Sequence, residues 1–324
     1  MKGLILAAGR GTRLRPLTDS RSKPMVLLAN RPLIHYSIDK LVEVGITEIG
    51  IVVGENEAEL RAGLDYPGDA ALTFLHQPHP GGLAHAVSFA EEYTGYDDFV
   101  LLFCDNLFSA SLHDSVDEWR RVREDNACDC LIHVHAVPDP RASGVAVVKD
   151  GWVTELEEKP QQPKSNLAIA GIDFFTPRIY GAISRIKPSA RGELEITDAI
   201  AELVKEDAGV RALELEGFWY DTGTFGDLLA AQAAILGSPE LRPPSASSAA
   251  SGTDTQIVEP VAIGAGSQLQ SCRLGPNVSV ADNCRLDNCQ LRDCQVYPGT
   301  TLRDVTASRA IFDGERHIDV GAQV

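Results

Sequence analysis

The chain has no stretch that approaches the ~20 consecutive apolar residues needed to span a bilayer, and its start, MKGLILAAGRG, lacks the longer apolar core of a signal peptide. A membrane is therefore not an expected partner, and the cytoplasm is the expected compartment. Cysteine is sparse and unpatterned: seven residues, an odd number, none in a Cys-x-x-Cys pair. That argues for reduced thiols and against a disulfide framework or a zinc site. Basic residues are also in deficit, with 29 Lys and Arg against 46 Asp and Glu, a net charge of −17. Such a field repels a polyanionic duplex, so nucleic acid is not an expected partner, and any small anionic ligand needs a local basic site.

What the chain does have is length and order. Its 324 residues are about twice a typical domain. From Met1 to Gly237, the strand-like runs KGLIL, TEIGIVV, ALTFL and DFVLLF alternate with the helix-like RPLIHYSIDKLVEVG and GGLAHAVSFAEEY. This alternation argues for an α/β domain with a mostly parallel sheet covered by helices on both faces. Farther on, GVAVV and WVTELEEK flank the turn signal Asp150-Gly151. A hairpin there makes the expected sheet mixed, mainly parallel.

Residues 238–256, SPELRPPSASSAASGTDTQ, hold almost no large apolar residue and have the composition of an interdomain linker. The expected domains are therefore 1–237 and 257–324. In the second, an apolar or small residue recurs about every six positions: Ile257, Ile263 and Leu269, then Leu274, Val280 and Leu286. That period is the signature of a parallel β-helix, here of about four coils. The spacing shortens to five at Leu286, Leu291 and Val296, and at Cys284, Cys289 and Cys294, where small buried thiols suit a narrow core.

Four short stretches carry chemistry. In GLILAAGRGTRLRP, Gly9 and Gly11 directly follow the first strand, where small residues let main-chain N–H groups cradle phosphate oxygens, and Arg13 and Arg15 add charge. No Lys follows Gly11 as a P-loop requires, and the third glycine of a dinucleotide fingerprint is missing, so this is a third kind of phosphate loop. Lys23, in SKP, is a second cation within reach of the same anion. DFVLLFCDN ends an apolar strand in Asp105-Asn106, placing a carboxylate where α/β sheets bind ligands. Asp221, in GFWYDTGT, is a second metal-ligand candidate, with a helix N-cap or a turn residue as its structural alternative. In ELEEKP, strand alternation sends Glu158 to the face opposite Glu157 and Lys159, so one of them can face a sugar phosphate.

Taken in order, LAAGRGTRLRPLT, SKPM, GLAHA, DN, LEEKP, KPSARGELEITDAI and WYDTGT resemble the nucleotide-sugar pyrophosphorylases, most of all the glucose-1-phosphate thymidylyltransferases, over residues 1 to 236. ARGELEITDAI is the sharpest match. The resemblance implies a Rossmann-like α/β/α nucleotidyltransferase domain and, because Ala8, Arg10 and SKPM are similar to the long thymidylyltransferases, a short C-terminal left-handed parallel β-helix. It implies that Arg13 and Lys23 bind the triphosphate and stabilise charge at the α-phosphorus. Leu6, Ala8, Gly9, Gly11 and Thr12 would complete the nucleotide loop, Gln77 would read the pyrimidine edge, and Gly82 would pack against the base. Asp105 and Asp221 would hold Mg²⁺. Asn106, Gly144, Glu158, Lys159 and Gly171 would surround the sugar 1-phosphate.

The implied reaction is in-line attack by a sugar 1-phosphate on the α-phosphorus of a nucleoside triphosphate. The expected partners are dTTP, or UTP, and a sugar 1-phosphate, in a homo-oligomer of two or four copies. Gln77 suits thymine and uracil equally, so the choice between dTTP and UTP stays open, as does a GTP-using relative. His317 is the only histidine beyond the linker, and a terminal histidine on four short coils argues against a second, acetyl-transfer activity. A non-catalytic nucleotide-sugar sensor would mark itself by losing a carboxylate or a cation, and Arg13, Lys23, Asp105, Lys159 and Asp221 are all present.

Overall fold

A computed structural model describes residues 1–124, 128–206, 208–243 and 254–321. The middle of the expected linker, residues 244–253, lies outside the described residues. By compactness the chain forms two units: Met1–Arg10, Ser22–Pro24 and Ile34–Trp219 make the first, and Gly11–Arg21, Met25–Leu33 and Tyr220–Val324 the second.

The first unit is built on a nine-stranded sheet. In chain order its strands are β1 (Lys2–Leu6), β2 (Glu48–Val53), β3 (Ala71–His76), β4 (Phe99–Phe103), β5 (Cys130–Ala136), β6 (Gly144–Lys149), β7 (Trp152–Glu158), β8 (Leu167–Phe175) and β9 (Val210–Glu214). In space they run β3-β2-β1-β4-β8-β5-β9-β7-β6. The first four are parallel, β8 enters antiparallel to both β4 and β5, and β9 runs parallel to β5. The sheet is mixed, and β6 and β7 form the expected hairpin, with Trp152 opposite Lys149. Asp150 and Gly151 both take positive φ, 52° and 78°, as a two-residue turn of this twist requires.

Helices α1 (Leu33–Val42), α2 (Glu57–Gly63), α3 (Leu83–Ser88), α4 (Glu91–Thr94), α5 (His113–Glu124), α6 (Arg178–Ile183) and α7 (Ile196–Lys205) accompany the sheet. Successive residues of β8 show how both faces are closed, since neighbours on a strand point to opposite sides. Phe174 meets Trp119 of α5, with centroids 5.9 Å apart. Phe175 meets Phe99, which stacks on Tyr180 of α6. Both phenylalanines are fully buried, each stabilising the fold by about 2 kcal/mol relative to exposure.

In the second unit, α8 (Phe225–Gly237) precedes the β-helix. Short parallel strands form three faces, and the register explains the irregular repeat. Leu269 pairs with Leu286 and Leu274 with Leu291, 17 residues on, whereas Val280 pairs with Val296 and Leu286 with Leu302, 16 on. Each face thus consumes five or six residues, and the coil absorbs the difference at its corners. Cys272, Cys284, Cys289 and Cys294 are buried free thiols in this core, and burial pushes Cys294 up to about 11. The last strand, Arg316–Asp319, turns back antiparallel on Ala310–Asp313 and ends the stack.

No helix among the described residues is long and apolar enough to cross a membrane.

Candidate active site

The parallel strands β3, β2, β1 and β4 end at one edge of the first unit. There Ala7 N–H donates to Val52 O, Gln77 N–H to Val53 O and Cys104 N–H to Leu6 O. The order β3-β2-β1-β4 reverses direction at β1, and such a reversal opens a crevice outside the carboxyl ends of the strands. Leu6, Ala8, Gly9, Gln77 and Asp105 are therefore collected at that edge. Asn56 secures it, donating from Nδ2 to Ala7 O at 2.8 Å and accepting at Oδ1 from Gly54 N–H at 2.9 Å. Gly9 is open, with nothing within 4 Å of a Cβ placed there.

Lys23 reaches the same edge from a 3₁₀ turn, Lys23–Met25. Its ammonium lies 2.6 Å from Asp105 Oδ2; the lysine side chain is 9 % exposed and the aspartate 30 %. Gln77 is buried at the end of β3, and its Nε2 meets His85 Nδ1 of α3 at 2.9 Å. Gly82, just before α3, has φ +101° and packs so closely on the main chain of Leu194 that a Cβ would lie 2.4 Å from its carbonyl oxygen.

A second cluster forms around the end of β7. Glu158 sits opposite Gly144 in the hairpin register. It accepts from Thr197 Oγ1 at 2.8 Å and from Arg191 at 3.2 Å, and its carboxylate is 3.5 Å from Lys159 Nζ. Glu157 is exposed while Glu158 is partly buried, as strand alternation predicts, but Lys159 lies past the strand's end with φ 46° and brings its ammonium to the Glu158 side rather than the opposite one. A Cβ on Gly144 would lie 2.6 Å from Thr197 Oγ1 and 3.1 Å from Glu158 Oε2, so only glycine leaves that carboxylate approachable. Gly171 plays the same part beneath Asn106: at φ +69°, its Cβ position lies 2.4 Å from Asn106 Nδ2, which donates to Ala170 O at 2.6 Å.

Thr197 and Arg191 are the residues that reading by motif missed. They lie inside ARGELEITDAI, whose letters carried the resemblance while no position in it received a role. Arg191 also binds Glu195, at 2.7 Å. The local run of charges does not single them out; their contact to Glu158 does.

In the second unit, Gly11 takes the left-handed conformation, φ 60° and ψ 33°, at the start of the 3₁₀ turn Thr12–Leu14. Arg13 is exposed, and its guanidinium lies 2.6 Å from the Cβ position of Gly223, two residues past Asp221. Arg15 instead pairs with Asp19, at 3.4 Å. Asp221 is exposed at a strand end and does not cap α8. Thr224 does, its hydroxyl accepting from Asp227 N–H at 3.2 Å.

Residues 2–238 match the family model described as nucleotidyl transferase. The chain belongs to the nucleotidyl transferase family. Among nucleotidyl transferases it is similar to the glucose-1-phosphate thymidylyltransferase of Streptomyces antibioticus, 40 % identical, covering 88 % of this chain and 84 % of that one. The glucose-1-phosphate thymidylyltransferase of Streptomyces griseus is 35 % identical, with 99 % of this chain and 93 % of that one covered. Among solved structures, a putative glucose-1-phosphate thymidylyltransferase from Bacillus anthracis superposes with a TM-score of 0.67 at 32 % identity, over 76 % of this chain and 96 % of that one.

Proposed function

We propose that the protein joins a sugar 1-phosphate, glucose 1-phosphate first among them, to dTTP, yielding the dTDP-sugar and pyrophosphate. The observation that carries this reading is the Lys23–Asp105 pair at the carboxyl edge of the parallel strands: a cation for phosphate and a carboxylate for metal, on a phosphate-loop edge, in a nucleotidyl transferase whose relatives bear the thymidylyltransferase name. UTP is the second reading, because the Gln77 amide pairs with O4 and N3–H, which thymine and uracil share.

The sugar phosphate is already ionised at neutral pH, so it attacks the α-phosphorus without a general base. Catalysis then reduces to positioning and charge stabilisation. Arg13 and Lys23 balance charge spreading over the α-phosphate and leaving pyrophosphate. Asn106, Gly144, Glu158, Lys159 and Gly171 hold the sugar 1-phosphate, with Glu158 accepting hydroxyls and Lys159 facing the phosphate.

Mg²⁺ suits the donors present, since it takes one or two carboxylates and fills the rest of its shell with phosphate oxygens and water. Asp105 and Asp221 are the proposed ligands, and no group of three or more His, Cys, Asp or Glu among the described residues competes with them. When bound, the ion offsets repulsion between two anionic substrates. On the same reading residues 1–237 form the catalytic domain, residues 257–324 serve assembly and stability, and the protein works in the cytoplasm as a dimer or tetramer.

The test is pyrophosphate release with glucose 1-phosphate and Mg²⁺, comparing dTTP, UTP, CTP, GTP and ATP, with Asp105→Asn as control. Fast turnover with dTTP that the control loses supports the reading. A clear preference for UTP or GTP moves the base assignment, and no turnover with any triphosphate means that the sugar phosphate is a different one or that the protein is a non-catalytic sensor.

A further inference from the structure

One face of the β-helix is covered. Val261, Val278, Val280 and Val296 turn into the core, so by strand alternation Ala262, Ser279, Gln295 and Ile311 point outward between them, and all four are buried. On the other faces outward residues such as Gln268, Arg285, Arg273 and Gln290 are exposed. Helix α8 lies against the covered face, and among its buried residues only Gln232 is polar. Gln232 Nε2 donates to Cys294 O at 3.0 Å and to Asn277 O at 3.2 Å, and its Oε1 accepts from Ser279 Oγ at 2.6 Å. Main-chain carbonyls only accept, so the amide has one orientation, and both of its ends are satisfied by the β-helix.

We propose that Gln232 is a positioning residue: it fixes α8 in one register on the β-helix and thereby places Asp221, at the head of that helix, for the metal. The inference rests on Asp221 being a Mg²⁺ ligand, and it gives the β-helix a part in the site beyond assembly and stability. Apolar contact is non-directional, so an apolar stripe alone lets α8 slide or rotate at little cost. A buried amide with three hydrogen bonds does not, because a shift leaves its partners unpaired in a place that water does not reach.

The path from Gln232 to Asp221 is short and stiff. Gln232 lies about two turns past Phe225, the first residue of α8, and a helical rod carries a displacement from one end to the other. At its start Thr224 caps the helix by accepting from Asp227 N–H, and Thr222 is fully buried. Asp221 is the exposed end of this tied turn. Its carboxylate therefore has its place set by where α8 sits, and α8 by the amide that reads Asn277, Ser279 and Cys294.

The test reads dTTP binding by calorimetry without sugar phosphate, once with Mg²⁺ and once with EDTA, in the full-length protein and in Gln232→Leu, Gln232→Leu/Ser279→Ala and Asp221→Asn. The ratio of the two dissociation constants is the gain in affinity that the metal brings. Gln232→Leu should lower that gain about tenfold, the scale of a misplaced ligand, and should also lower the melting temperature, because it leaves the Ser279 hydroxyl unpaired. Removing that hydroxyl as well, in the double variant, should restore most of the melting temperature and none of the gain. KM for glucose 1-phosphate should stay within about twofold throughout, a split that a general defect would not give. A double variant with the parent's gain, beside an Asp221→Asn variant that has lost it, overturns the inference and leaves the ligand role of Asp221 intact. A gain unchanged in Asp221→Asn removes that role and the inference with it.

Discussion

Lys23 Nζ lies 2.6 Å from Asp105 Oδ2, and the lysine side chain is far more buried than its partner. The two charges compensate each other at a strand end, and each is the type that one part of a metal–triphosphate engages. Asp105→Asn leaves a buried ammonium without this counter-charge, which should destabilise the protein by about 1–3 kcal/mol and lower kcat by about a hundredfold or more. Lys23→Met combined with Asp105→Asn should recover part of the stability and none of the activity. Thermal melts beside pyrophosphate assays check this; a double variant whose stability losses simply add would refute the coupling.

Gly144 leaves room that Glu158 and Thr197 need, since an added Cβ meets Thr197 Oγ1 at 2.6 Å. Gly144→Ala should push the Glu158 carboxylate from its place and raise KM for the sugar 1-phosphate about tenfold, with KM for the triphosphate nearly unchanged. Thr197→Val, which removes the 2.8 Å bond to Glu158, should move the same parameter in the same direction. Steady-state kinetics with each substrate varied in turn decides the matter.

Within the second unit the β-helix grips the segment that carries Arg13. Arg21 stands 4.3 Å from the Tyr297 ring centroid and 2.9 Å from Asp313, Arg316 donates to Pro16 O at 3.0 Å, and Gln295 donates to Leu27 O at 2.6 Å. Asp313→Ala should therefore raise KM for the triphosphate by about threefold to tenfold, with a stability loss of about 1–2 kcal/mol. Kinetics indistinguishable from the parent would show that the grip does not reach Arg13.

Asp173 is fully buried on β8, opposite Leu101 and Ile132, and neither carboxyl oxygen has a hydrogen-bond partner among the described residues. Burial raises its pKa from 3.8 to about 8. Because the folded pKa exceeds the unfolded one, the folded state holds a proton that the unfolded state releases, and stability falls as pH rises from about 4 to about 8. His133 works the other way: burial lowers it to about 4, so its stability contribution is lost as pH falls from 6.5 toward 4. Asp173→Val should stabilise the protein by about 2 kcal/mol or more at pH 8, with the gain shrinking toward pH 5. Urea midpoints across that range provide the measurement, and a gain independent of pH would contradict the buried acid.

Residue spacing alone was enough for several elements. Asp150-Gly151 announced its hairpin because only a few residue types accept two positive φ values in succession. The six-residue period announced the β-helix because one side chain per face must enter a narrow core. Its five-residue steps looked irregular in the letters; only the 17- and 16-residue stacking of Leu269 on Leu286 and Leu286 on Leu302 shows that a corner absorbs the missing residue. For Asp221, the local letters allowed a helix cap or a turn residue equally well, and the cap geometry at Thr224 removes only the helix cap.

The sequence by itself determined the class of chemistry, through glycines after a first strand, cations nearby and a carboxylate at the end of an apolar strand, because those patterns are local and follow from backbone periodicity. The tertiary structure decided which of them meet. Lys23 and Asp105 are 82 residues apart in the chain, Thr197 and Glu158 are 39 apart, and Asp173 is buried because strand pairing sets it between Leu101 and Ile132. Such contacts depend on sheet order and register, long-range quantities that no local run of residues encodes.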